Sequence, residues 1–401
     1  MKISYGKNVY DNKEIKAVLN TLKKTTQMGK NVFQFEKKIK NIFQKRYSLM
    51  VNSGSSALTL ALDVLNLKRG SEIITPCLNF GTAVSAIIVS GCKPVFVDIK
   101  VNTLQIDEKL IEKKITNKTK AMVIPNLIGN IPNWIKIKKI AKKYKLKIIE
   151  DSADTLGAKI GKKSTGVFSD ISITSFYGSH IISCAGNGGM FITNDKKYYL
   201  RAKILRSWGR MSSLIKDSEN INKRLDIKLK GINYDKKFVF SELGYNFEPS
   251  EISASFGLEQ LKKFNQFNKT RNKNFNSHIK FFKNYDDLFI TPKISKNVKT
   301  NFLAYPIILK KNNFFNRREL QILLEKKGIQ TRPIFSGNIL RHPAFQNLNS
   351  NQNKLSTFKK SDYIMENGLL IGCHQGLTNI NILYIHKIIT KFILQKRKKN
   401  K

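Results

Sequence analysis

The sequence predicts an α/β protein built on a mostly parallel sheet with helices on both faces. Two observations carry that expectation. Short apolar runs alternate with helical periodicity from residue 47 to residue 193, and strands spaced by helices of this length imply crossover units between parallel neighbours. The chain is also long enough, at 401 residues, to bury a large core and to divide into domains of ~150 residues each. The division predicted is a large domain over residues 1–250, with an excursion at 211–245, followed by a linking helix and a smaller C-terminal α/β domain over 251–401.

The elements follow in order. The first 45 residues read as polar helix, broken at Met28-Gly29 before a helix around Phe33 to Phe43. Tyr47 to Val51 reads as a strand and Ala57 to Leu67 as an amphipathic helix. Glu72 to Ile74 is the next strand, with an apolar helix from Ala83. Further strands lie at Pro94 to Val97, Ala121 to Ile124 and Lys147 to Glu150, the last two separated by a helix near Ile135 to Tyr144. Ile171 to Ile173 and Met190 to Thr193 complete the series. Residues 211–245 are weakly periodic and rich in Ser, Asn and Lys. A long helix starts near Glu251 and runs into the 280s; beyond it lie a strand at Phe302 to Leu309, a helix at Arg318 to Lys327 and a last helix near Ile380 to Leu394.

The net charge of +44 invites a nucleic-acid reading, but lysine is spread along the chain and clusters only at Lys396 to Lys401. Without helix-turn-helix spacing, a zinc-finger pattern or an aromatic RNA-binding motif, such a balance speaks to solubility and nonspecific attraction. No specific nucleic-acid partner is expected; a positive field would instead draw in an anionic substrate. The N-terminus lacks the apolar core of a signal peptide, and no apolar run nears the ~20 residues that span a bilayer, so the expected location is cytoplasmic and off the membrane. Cys77, Cys92, Cys184 and Cys373 are scattered without a C-x-x-C pair, which argues against disulfides, a structural metal or an iron–sulfur site.

Ligands on parallel sheets sit at the carboxyl ends of the strands. At the first, Asn52-Ser53-Gly54-Ser55-Ser56 gives a tight turn opening a helix, either an anion site or a bare Ser cap. At another, Glu150-Asp151-Ser152-Ala153-Asp154 puts acids directly after Ile148-Ile149. An unpaired buried carboxylate is costly, so Asp151 is either a capping or salt-bridged residue or one matched by a cationic ligand. At a third stand Ser175 and His180, the latter structural or catalytic on local grounds alone.

Taken together, NSGSSAL, TPCLNFGT, PVFVDI, IIEDSADTLGA, SITSFYGSH, GNGG and LGYN, running on through SEISASFGLEQL, resemble the sugar aminotransferase family DegT/DnrJ/EryC1/StrS. The resemblance spans Gly29 to His374. It implies a fold-type I pyridoxal-phosphate-dependent transferase acting on nucleotide-linked keto sugars. By position, Gly54, Ser55, Ser56 and Ser175 would hold the cofactor phosphate, Phe80 would stack on the ring, Asp151 would pair with the pyridinium nitrogen and Asp154 would lie near the ring hydroxyl. Asn246 matches an asparagine reaching into a neighbouring subunit's site, which implies a homodimer with shared active sites.

Most of the family carries a Schiff-base lysine where this chain has His180. The resemblance is therefore to the lysine-less branch, the nucleotide-hexulose 3-dehydratases, which SGNILRHPAF and IGCHQGLT also resemble. It implies noncovalent pyridoxamine or pyridoxal phosphate, His180 as the base, and loss of the C3 hydroxyl from a nucleotide-linked 4-keto-6-deoxyhexose. Some members of that branch bind an iron–sulfur cluster through cysteines after WGR. Here Trp208-Gly209-Arg210 is followed by Met211-Ser212-Ser213-Leu214, so no cluster is expected, and glutamate is a possible amino donor. An aminotransferase and a non-catalytic relative remain the alternatives. Arg332 and His374 stand in family-like stretches, with pocket and structural roles both open.

Overall fold

The structure, a computed structural model, describes residues 1–215, 217–295 and 297–399. Lys216 of the expected excursion and the last two residues of the C-terminal lysine cluster lie outside the described residues. The first half runs α1 (Asn12–Leu22), α2 (Lys30–Ile42), β1 (Tyr47–Val51), α3 (Gly54–Asp63), β2 (Glu72–Pro76), α4 (Gly81–Val89), β3 (Lys93–Val97), β4 (Thr119–Pro125), α5 (Trp134–Tyr144) and β5 (Lys147–Asp151). A small hairpin, β6 (Lys159–Ile160) and β7 (Lys163–Ser164), precedes β8 (Ile171–Ser175), β9 (Gly189–Thr193) and α6 (Lys196–Arg206). The excursion holds only short pieces, α7 (Ile221–Arg224), β10 (Lys228–Leu229) and β11 (Ile232–Asn233). Then come α8 (Glu251–Lys283), β12 (Val298–Lys299), β13 (Ala304–Ile308), α9 (Arg317–Lys326), β14 (Thr331–Pro333), α10 (Lys359–Asn367), β15 (Gly368–Gly372) and α11 (Asn379–Lys399).

Seven strands form the main sheet in the order β1-β9-β8-β5-β4-β2-β3. Only β9 runs against the others. Because side chains alternate across a strand, neighbouring residues face opposite layers. Ile73, Val123 and Ile149 pack with Leu58, Ala61 and Ile87 of α3 and α4. Ile74, Met122 and Ile148 pack with Trp134, Ile137 and Ile140 of α5. Both faces are buried, so the strands read as apolar runs rather than as alternating ones. α3 begins three residues before the apolar pattern does, since Ser53 Oγ accepts the Ser56 N–H at 3.1 Å and caps the helix there.

The C-terminal unit is an antiparallel sheet, β13-β15-β14, whose Tyr305, Ile307 and Ile371 pack with α8, α9 and α11 through Phe282, Leu324 and Ile389. The chain's first residues join this unit: the Ile3 N–H donates to Gly328 O at 2.8 Å and the Gln330 N–H to Ile3 O at 2.9 Å. Ile3 is buried in the same core. α8 runs from the large sheet, where Ala254 packs, to the small one, where Phe282 packs.

At the carboxyl edge of the main sheet, β9 begins where β1 ends, Gly189 pairing with Val51 on one side and Ser175 on the other. A Cβ on Gly189 would lie 2.2 Å from Ser53 O, and one on Gly54 would lie 2.7 Å from Ser175 Cβ. The helix-opening turn is thus pressed against two strands with no room for side chains. Gly189→Ala is expected to destabilise by ~3 kcal/mol, the upper end for overpacking, because the clashing atom is backbone. Urea unfolding reads the loss; an unchanged midpoint would contradict the packing.

Candidate active site

A cavity of about 590 Å³ opens at this edge, between the sheet and the C-terminal unit. Loops after β1, β2, β4, β5 and β8 reach it, as does the turn before β9, whose reversed direction brings its start to the same edge. The place is the one expected for a parallel sheet. Gly54, Ser55, Phe80, Asp151, Asp154, Ser175, His180 and Arg332 all line it. Residues 278 positions apart in the chain, Gly54 and Arg332, thus share one wall.

On the β1 side, Gly54 and Ser55 of the first turn of α3 line the cavity beside Ser175. Helix starts of this kind attract anions. Ser56 is not on the wall: its hydroxyl donates to Asn52 Oδ1 at 2.6 Å and its N–H to Ser53 Oγ, so it serves the cap. Phe80, 55% exposed, is held edge-on to Phe335 with ring centres 6.0 Å apart.

Beneath lies β5. Glu150 points to the far side, into a fully buried network with Asn126 Nδ2 at 2.9 Å and the hydroxyls of Ser152 and Ser172 at 2.9 and 2.6 Å. Asp151 turns toward the cavity and accepts the Ala153 N–H at 2.9 Å. Burial raises its carboxyl to about 6; the Ala153 N–H opposes the shift and the charge of Glu150 adds to it. Asp154 accepts the Ile128 N–H at 2.7 Å. Burial raises it to about 7, again against that N–H and with help from Asp151. Among the described residues no cation contributes to either shift.

His180 sits in the loop between β8 and β9, its N–H donating to Tyr177 O at 3.0 Å. Its Nδ1 is buried without a hydrogen-bond partner. Burial lowers the imidazole to about 4, with the Ser175 backbone opposing and Arg271 reinforcing. Near pH 7 the ring is therefore uncharged, the form that accepts a proton.

Two further expected residues, besides Ser56, lie off the wall. His374 is buried away from the cavity, its Nε2 bonded to Ser4 O at 3.0 Å and its Nδ1 accepting the Gly376 N–H at 3.2 Å, so it anchors the N-terminal segment rather than facing a ligand. Asn246 is exposed, its carbonyl accepting from Asn52 Nδ2 at 3.4 Å. Sequence reasoning missed Tyr5, Ser179 and Asn187 on the wall and Arg271 behind it. Ser179 and Asn187 stood inside motifs already in view. Tyr5, whose buried hydroxyl has no partner, carried no signal, because only the docking of Ile3 brings it there. Among the described residues no group of three or more His, Cys, Asp or Glu could hold a metal. No described helix is long and apolar enough to cross a membrane.

The profile of the DegT/DnrJ/EryC1/StrS aminotransferase family matches residues 8–390, and the chain belongs to that family. It is 34% identical over 369 residues to the lipopolysaccharide biosynthesis protein RfbH of Salmonella typhimurium, covering 89% of this chain and 83% of that one. Its fold matches E. coli GDP-4-keto-6-deoxy-D-mannose-3-dehydratase with bound hydrated PLP at a TM-score of 0.85 and 30% identity, covering 97% and 100% of the two chains. A solved GDP-4-keto-6-deoxymannose-3-dehydratase with a trapped PLP-glutamate geminal diamine matches equally, with TM-score 0.85, 28% identity and coverage of 96% and 100%.

The lowered pKa of His180 has a consequence for stability. Between its ordinary value of 6.5 and about 4, the unfolded chain binds the proton and the folded one does not. Stability from this group is full above pH 6.5 and is lost as pH falls through 4. Asp151 and Asp154, both raised, act in the opposite sense. Comparing the cofactor-free protein with His180→Asn cancels their part. The wild type is expected to lose more stability than the variant from pH 7 to pH 4 by urea titration; parallel profiles would contradict the buried neutral ring.

Proposed function

We propose that this family member is a pyridoxamine-phosphate-dependent dehydratase that removes the C3 hydroxyl of a nucleotide-linked 4-keto-6-deoxyhexose in surface-polysaccharide biosynthesis. The observation that carries the reading is His180, a half-buried, uncharged imidazole with a fully buried Nδ1, at the cleft position where the family resemblance implies a lysine in most members. The residues present fit the cofactor. The first turn of α3, with Ser55 and Ser175, offers an anion site for its phosphate. Asp151 is a cleft carboxylate short of a cation, which a protonated ring nitrogen would supply. Phe80 offers a face to the ring, and Asp154 lines the same cavity as Asp151, available to a ring substituent.

When bound, the cofactor supplies a primary amine for the sugar's keto carbon and a ring that accepts electrons. Every other part is played by side chains. Asp151, once paired, keeps the ring nitrogen protonated. The uncharged imidazole of His180 would serve as the proton acceptor in the cleft, and the proton it holds would be available to the C3 hydroxyl, which departs as water. Because an imidazole forms no lasting bond to a carbonyl carbon, the base stays free through the cycle. The solved relative with a glutamate adduct supports glutamate as amino donor.

The reading extends to assembly as a homodimer in the cytoplasm. Leu243, 97% exposed, and Phe240, 61% exposed, flank the exposed Asn246. A second copy would cover this apolar ground and receive Asn246 in its site.

The assay is incubation with pyridoxamine phosphate, glutamate and GDP- or CDP-linked 4-keto-6-deoxyhexose. Loss of the C3 hydroxyl, abolished in His180→Asn, is expected; a stable amino sugar would indicate transamination instead, and borohydride fixing the cofactor to the chain would show that a lysine is used after all. Asp151→Asn removes a charge-assisted bond worth ~1.5–3 kcal/mol. It should weaken cofactor binding roughly 10- to 100-fold in an absorbance titration, and undiminished affinity would remove Asp151 from the role.

A further inference from the structure

The base is not held by its own loop alone. Arg271 lies midway along α8, fully buried. Its Nη2 donates to His180 O at 3.0 Å. Nη1 donates to Phe302 O and Leu303 O at 3.0 and 3.2 Å, and Nε to Gln375 Oε1 at 2.6 Å. One planar fork therefore grips the base-bearing loop on one side and two separate segments of the C-terminal unit on the other. Among the described residues no other group donates to the His180 carbonyl.

We propose that Arg271 is the positioning residue of the base, its guanidinium tying the His180 backbone to the C-terminal unit so that the imidazole is set by how the two units meet. The proposal rests on His180 being the base.

All four of its acceptors are neutral oxygens. A buried charge without an anionic partner is costly, and apolar or neutral side chains would fill a helix–sheet junction at less expense. Burial lowers the guanidinium only to about 10, so it stays charged. Arginine suits the task because five N–H groups in a rigid plane satisfy several carbonyls at once, which an ammonium cannot do with that geometry.

The charge acts as well as the fork. Around His180 stand Asp151 at the end of β5 and Asp154 in the loop after it, Tyr177 beside it, Tyr5 and Arg332 from the C-terminal side and Arg271 behind it. Burial does most to keep the imidazole unprotonated, and Arg271 is the cation that adds to it. It does the same to His374. The two contributions separate by substitution: Arg271→Lys keeps the charge and loses the fork, and Arg271→Gln loses the charge and keeps a donor.

The test uses the holoenzyme with labelled histidine. With five histidines in the chain, the imidazole signals are few, and His180→Asn assigns the one of interest. Both Arg271 variants are expected to lose kcat by on the order of 10²-fold with KM little changed, the scale for a base displaced by about 1 Å. In Arg271→Gln the His180 titration and the acid limb of kcat/KM move upward together; in Arg271→Lys the titration stays in place. Arg206→Lys, at a buried arginine paired with Glu36, lowers stability and shifts neither. Folded variants with wild-type kcat and an unmoved His180 titration would overturn the proposal. Should neither fold, Gln375→Ala decides it, since it removes only the Nε acceptor: a fall in kcat at constant KM supports the tether and an unchanged kcat overturns it. Full activity in His180→Asn would instead overturn the reading of the base, a separate outcome.

Discussion

Desolvating a carboxylate is costly unless something pairs with it, and the half-buried Asp151 of the cleft has, among the described residues, one N–H donor and no cation acting on it. That unmet charge organises what surrounds it. The opposite face of β5 shows what a satisfied acid looks like: Glu150 has Asn126, Ser152 and Ser172, with Lys45 nearby donating to Ser169 and Asp170. One strand therefore carries adjacent acids with opposite fates. Glu150 stabilises the sheet from within, whereas Asp151 gives up stability to keep a place open for a positive group.

The wider cleft follows from the same desolvation. Desolvation in the cleft raises Asp151 and Asp154 and lowers His180, so these three groups are driven toward their neutral forms. A proton acceptor that must work near neutrality gains from this, and an acid that needs to ionise does not. A cationic ligand nitrogen reverses the balance for Asp151 without touching His180, which lies in a different loop with its own partner behind it. The site is thus set to change its charge state when loaded rather than to hold one permanently.

How much of this was readable from the sequence depends on where each signal lived. The parallel strands were legible because both of their faces are buried, which turns them into apolar runs bounded by Gly and Asp. Asp151, Gly54 and His180 were legible because each stands at a strand end within a few residues of its neighbours in the motif. α6 was not: in KKYYLRAKILR only Ala202, Leu205 and Arg206 are buried, too few to make a periodic stripe. β14 and β15 escaped because one is three residues long and the other a five-residue run with glycine at both ends. His374 sits in a family-like stretch, yet Ser4 draws its ring away from the cleft. Arg271 lies on a helix crowded with Lys and Asn, 91 residues from the carbonyl it holds. Only folding distinguishes it from its neighbours.

The likeness of fold to aminotransferases says little about the reaction, because function lives in the site rather than in the scaffold. The environment that lowers His180 would also lower a lysine at position 180, leaving an uncharged amine ready to attack a carbonyl carbon. Cleft, phosphate turn and Asp151 would serve that enzyme equally well. What an imidazole changes is the afterlife of the base: it accepts a proton and cannot be consumed by a covalent bond to the cofactor. On the proposed reading, the amine needed by the sugar arrives with a noncovalent cofactor, for which the phosphate turn, the ring face, Asp151 and Asp154 are the proposed contacts. A site without a covalent anchor would have little tolerance for a misplaced base, and the proposed positioning role gives a reason for a buried arginine to grip the carbonyl of His180 at the cost of its desolvation.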